Sequence, residues 1–214
     1  MTIKNKPEHR LVADRVHLLT FESQHEVTST FLRFQEHYES PQFAGMVFTL
    51  DEYKEWYVKN SPNGIKTGEF TYHTDWSGFN IPSSILIPFY EGKFHPLTDA
   101  EQNVLDMFSQ EEHPFYIIGV HKESKSFEKL LRHETAHGLF YTNPEYKKEA
   151  LEIISKYDTR EVRKELLGSG GYGENVLDDE VHAYSISGGK SLGANIPEEL
   201  SKEMNELFEK YTNK

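Results

Sequence analysis

The chain has 214 residues, no cysteine, and 35 acidic against 23 basic side chains, a formal net charge of −12 at neutral pH. The missing cysteines exclude disulfides, thiolate metal sites and cysteine nucleophiles, and the acidic balance argues against general binding of nucleic acid or an anionic membrane. The 14 Phe, 12 Tyr and 2 Trp supply ample material for a core, while a polar N-terminus and short apolar runs predict a soluble, cytoplasmic protein.

Residues 1–10 are polar and predict a loose start. Val16–Phe21 predicts a short strand. Ser23 and Glu26 form a capping box, and Val27, Phe31, Phe34 and Tyr38 follow at helical spacing, so Gln24–Glu39 predicts an amphipathic helix stopped by Ser40-Pro41. His25 and His37 within it read as surface residues. A strand is expected at Met46–Leu50, then a helix capped by Asp51 and running to Asn60, then a turn at Ser61-Pro62-Asn63-Gly64. Further strands are expected at Glu69–His73 and Ser84–Phe89. The aromatic, polar stretch 75–80 between them has the composition of a cleft-lining loop, although a packed surface loop is the plainer reading.

Thr98 and Glu101 form a second capping box, predicting a helix to about Gln110 that buries Val104, Leu105 and Phe108. Pro114–Val120 is continuously apolar and predicts a buried strand. Ser124 or Ser126 then begins a helix. Beyond Pro144, helices are expected at Glu145–Tyr157, Thr159–Leu167, Asn175–Ser187 and from Pro197 to about Lys210. The glycine-rich run 168–173 lacks the lysine and strand context of a phosphate loop and predicts a hinge or cleft-lining loop; 188–195 predicts another loop. The sum is an α+β fold in one domain spanning 1–214. It comprises an N-terminal α/β lobe with a mixed sheet (11–126), a central helix (127–143) and a mostly helical C-terminal lobe (144–214).

The central helix reads F-E-K-L-L-R-H-E-T-A-H-G-L-F-Y-T-N over Phe127 to Asn143. Its H-E-x-x-H puts His133 and His137 about 6 Å apart along one helix face, where both imidazoles reach a single zinc ion. Glu134 points beside the metal, placed to take a proton from a zinc-bound water. Solvated histidines are the bland alternative. Leu130, Leu131, Leu139 and Phe140 make the helix half buried, however, and buried polar groups need partners.

The motif resembles the active-site helix of the zincin metallopeptidases. The strand leading into it is similar to their layout as well. The resemblance is strong over about ten residues and implies one Zn2+ ion and hydrolysis of peptide bonds in a peptide or protein substrate. The metzincin extension would need glycine at 140 and histidine at 143, where Phe140 and Asn143 stand, and the cysteine-liganded deformylase variant is excluded by composition. The gluzincin pattern takes its third ligand from a glutamate on a later helix, and L-D-D-E-V-H-A-Y (177–184) offers Glu180 on a buried face. His182 and then Asp179 are the other candidates for third ligand, and a buried Glu180 paired to arginine or tyrosine is the non-metal explanation. Asp178 or Asp179 is available to support a histidine ligand, the place four after the glutamate being Tyr184. The resemblance implies that Glu134 passes its proton on to the leaving amine. For stabilising the oxyanion the candidates are Tyr184, His182 and Tyr141, with Tyr184 preferred. The competing readings are a non-catalytic zinc-stabilised binding or regulatory protein, whose site would be closed by a fourth protein ligand, and a metal-free interaction module. Substrate specificity, endo- or exopeptidase action and oligomeric state are not written in the sequence.

Overall fold

A computed structural model describes residues 6–123, 127–168, 173–188 and 195–212. The fold is α+β, with a small mixed sheet of four strands and a mostly helical remainder. The elements divide into two compact units, one of Met1–Arg10 with His17–Lys125 and one of Leu11–Val16 with Ser126–Lys214.

The sheet has the order β1-β2-β4-β3, formed by β1 (Glu8–Ala13), β2 (Val16–Phe21), β3 (Gly78–Pro82) and β4 (Tyr116–His121). β3 and β4 pair antiparallel, Phe79 opposite Gly119 and Ile81 opposite Ile117. β4 is buried along its whole length, His121 at its end included, as the apolar run from Tyr116 to Val120 requires of a central strand. Helix α1 (Gln24–Glu39) packs on β3 and β4, and its capping box is formed in both directions by Ser23 and Glu26. The contact is close enough that a Cβ on Gly119 would meet Phe31 Cε2 at 2.4 Å, so only glycine lets helix and strand approach this far. Phe31 also stacks on Phe79.

The remaining helices of this unit are α2 (Leu50–Asn60), α3 (Pro62–Thr67), α4 (Tyr72–Asp75), α5 (Ile87–Tyr90) and α6 (Asp99–Phe108). Arg33 on α1 is buried and bidentate to Glu101 on α6, with Nε to Oε1 2.7 Å, and it also donates to the carbonyls of Phe94 and Pro96. Glu101 simultaneously accepts from the Thr98 backbone N–H. One carboxylate therefore both caps α6 and ties it to α1.

Several expectations are corrected here. Strand β1 begins at Glu8 rather than after a loose residue 10; its first four side chains are exposed, which is why an edge strand reads as polar. Met46–Leu50 is no strand, because Thr49 forms a capping box with Glu52 and caps α2 two residues before the expected Asp51 cap. The Ser61-Pro62 turn opens α3, with Ser61 as cap and Pro62 in the first turn, where a missing N–H costs nothing. Glu69–His73 is irregular and then helical in α4. Ser84–Phe89 is a 3-10 turn running into α5, since Pro88 cannot donate to a sheet ladder. The expected loop 75–80 contains the start of β3, and Asp75 is pinned by Tyr57, Thr71 and Asn63.

The second unit holds α7 (Phe127–Thr142), α8 (Pro144–Ile154), α9 (Arg160–Gly168), α10 (Leu177–Ser187) and α11 (Glu198–Thr212). α7 stops at Thr142 because Asn143 turns to cap α8, its Oδ1 accepting from the N–H groups of Glu145 and Tyr146. α10 packs against α7, α8, α9 and α11. The expected start of α7 at Ser124 or Ser126, and most of the glycine-rich run and the 188–195 loop, lie outside the described residues. Among the described residues no helix is long and apolar enough to cross a membrane.

Two predictions follow from this packing. Glu101→Ala leaves Arg33 buried without its counter-charge and should cost about 3–5 kcal/mol in urea unfolding; a loss under about 1 kcal/mol would contradict the pairing. Glu36 on α1 is buried, and burial raises its pKa beyond what the hydroxyls of Tyr53, Tyr72 and Ser40 offset. A raised folded-state pKa gives stability that is present at acid pH and lost as pH climbs through that value. Glu36→Gln should therefore gain stability relative to the unsubstituted protein as pH rises above the ordinary carboxylate range, and a pH-independent difference in urea midpoints would refute it.

Candidate metal centre

On α7, His133 and His137 stand one turn apart with ring centroids at 4.7 Å and Nε2 atoms 3.2 Å from each other. α10 supplies the third group. Glu180 places Oε1 3.7 Å from His137 Nε2 and Oε2 3.9 Å from His133 Nε2. Donors held 2.0–2.2 Å from one tetrahedral centre lie roughly 3.4 Å from one another, so these spacings fit a single ion. Among the described residues this is the one group of three or more His, Asp or Glu donors so gathered. Two imidazoles and a carboxylate are also a donor set that zinc accepts.

The orientation of each ring is set from behind. His133 Nδ1 lies 3.0 Å from Ser187 Oγ, and His137 Nδ1 lies 2.8 Å from Asp179 Oδ1. The Asp179 contact is a short pairing of opposite charges. The tautomer that places each proton on Nδ1, towards these oxygens, leaves both Nε2 lone pairs free for a shared ion.

The electrostatics of the protein alone split the two imidazoles. Burial, and then the charge of His137, hold His133 down at about 3. Burial also opposes the charging of His137, but the carboxylates of Asp179, Glu180 and Glu134 outweigh it and push His137 up to about 10. Burial opposes the charging of Asp179 too, and its contact with His137 still holds it below the usual carboxylate range. Near neutral pH the histidine pair thus holds one proton more than two neutral imidazoles carry, between the facing Nε2 atoms. It occupies the place a metal ion would take, so proton and ion compete.

Glu134 is 8% exposed and follows His133 on α7. Tyr184, four residues after Glu180, sets its ring 4.6 Å from that of His133. Of the three α10 candidates for third ligand, Glu180 is the one that faces both Nε2 atoms. Asp179 meets His137 from the Nδ1 side, and His182 is fully buried, stacked on Phe140 with Nε2 2.7 Å from the Tyr146 hydroxyl. Asp178 pairs with Arg163 instead. Tyr141 stands 38% exposed on the last turn of α7. Sequence reasoning missed Ser187, although its spacing of seven from Glu180 puts it two turns further along the same face. It missed Tyr146 too, for which no local signal exists. Comparison of the chain with protein-family models, with curated proteins and with solved structures finds no match.

The arrangement is testable without any metal. In chelator-treated protein, the imidazole NMR signals of His137 should titrate far above 6.5 and those of His133 far below it. Asp179→Asn should bring His137 downward. Two histidines titrating together near 6.5 would contradict the geometry.

Proposed function

We propose that this chain is a zinc-dependent metallopeptidase of zincin type, nearest in plan to the gluzincins. The observation that carries the reading is the convergence of His133 Nε2, His137 Nε2 and the Glu180 carboxylate, with Glu134 buried beside them. Bound there, zinc supplies a Lewis acid, acidifying water and polarising a carbonyl. Three protein donors leave one position for that chemistry, which a structural site would fill with a fourth. The same donor types suit ferrous iron; a carboxylate placed as general base between the two histidines favours hydrolysis.

The residues divide the work as follows. His133, His137 and Glu180 hold the ion, with Ser187 and Asp179 keeping the two rings turned towards it. Glu134 accepts the proton of the attacking water as the carbon–oxygen bond forms, then delivers it to the amide nitrogen as the carbon–nitrogen bond breaks. Tyr184, beside His133, is the proposed donor to the developing oxyanion. The substrate is a peptide or protein, and the cytoplasm is a suitable compartment for a chain that needs no disulfide.

Elemental analysis of the purified protein should find about one zinc per chain, lost in Glu180→Ala but still taken up by His182→Ala at saturating zinc. Glu134→Gln should keep the zinc and lose peptide-library cleavage by at least 10²-fold. Zinc retained by Glu180→Ala would displace the third ligand. Undiminished cleavage by Glu134→Gln would overturn the hydrolytic mechanism.

A further inference from the structure

Behind Asp179 the buried polar chain continues. His182, one turn along α10, presents Nδ1 to Asp179 Oδ1 at 3.6 Å, and its Nε2 lies 2.7 Å from the hydroxyl of Tyr146 on α8. His182 and Tyr146 are both fully buried. The ring of His182 is held between two others, stacked on Phe140 and edge-on to Tyr146. An imidazole this buried needs partners within the protein for its polar atoms.

We propose that Tyr146 and His182 are positioning residues that set the metal affinity of the site through Asp179. The reasoning follows the protons. A Tyr146 O–H donated to His182 Nε2 fixes the tautomer whose proton is on Nδ1, facing Asp179. Asp179 then sits between two N–H groups, those of His182 and His137. An aspartate so held keeps His137 with its proton on Nδ1 and its Nε2 lone pair towards the ion. The contact of 3.6 Å exceeds hydrogen-bond length, so His182 acts on Asp179 as an oriented dipole. Partners behind a metal-ligating histidine typically contribute 10–100-fold to metal affinity. This chain reaches one helix further, so that the docking of α8 on α10 enters the affinity of a site built from α7 and α10.

The inference rests on the metal reading above, and its test separates the two. Zinc affinity is measured on the full chain by competition with a chromophoric chelator, with circular dichroism of the metal-free protein as the folding control. Tyr146→Phe, which removes a single oxygen, should weaken zinc binding about tenfold, and His182→Phe by 10–100-fold. His182→Asn, whose side-chain N–H takes the place of Nδ1–H, should restore affinity to within a few-fold of the unsubstituted protein. A merely structural role would move the thermal midpoints of these variants and leave their zinc affinities equal, and that result overturns the inference alone. An unsubstituted protein that binds no zinc overturns the metal reading and the inference with it.

Discussion

Helix α10 is enclosed by four other helices, and a helix buried almost all round is ordinarily apolar. This one instead carries Glu180 and His182 at buried positions and Asp179 at a half-buried one. Taking such groups out of water costs several kcal/mol each unless they are paired. The organisation of the second unit follows from that constraint. α7 brings two histidines to meet the carboxylates, α8 brings the Tyr146 hydroxyl, and Ser187 on α10 itself meets His133. The apolar residues Val181, Ala183 and Ile186 fill the rest of the interface. The same helix therefore serves as the core of its unit and as the wall of the candidate site.

The first unit solves a similar problem with a closed, charge-neutral pair. Arg33 and Glu101 satisfy each other and the surrounding carbonyls, and nothing about them invites a ligand. The contrast is informative. At His133, His137 and Glu180, three good donors lie within 4.8 Å of one another, and of the three only His137 carries a positive charge near neutral pH. A cluster of this kind suits a cation better than it suits itself.

How far the sequence could be read depended on how local the determining interaction was. Capping boxes at Ser23–Glu26 and Thr98–Glu101 are closed within four residues, and α1 and α6 were legible from them. Ser84–Phe89 misled because its apolar run resembles a strand, while Pro88 decides against one. β3 was hidden because an edge strand of five residues bounded by Gly78 and Pro82 leaves little periodicity. At the site, H-E-x-x-H and the burial expected of Glu180 are properties of single helices and could be read directly. The Tyr146–His182 contact arises only when α8 docks on α10, so no pattern along the chain foretells it. Asp179 shows the intermediate case: the sequence offers it as a helix-start acid, a ligand or a supporting residue, and only the approach to His137 Nδ1 distinguishes these.

The central claim is that α7 and α10 together hold one ion through two imidazole nitrogens and one carboxylate, with a position open. X-ray absorption at the zinc edge of the zinc-loaded protein tests this directly. The account predicts a first shell of nitrogen and oxygen donors only, with the outer-shell scattering of two imidazoles and at least one exchangeable donor that an added anion displaces. A shell with fewer than two imidazoles, or one closed by four protein donors and indifferent to added anions, would contradict it.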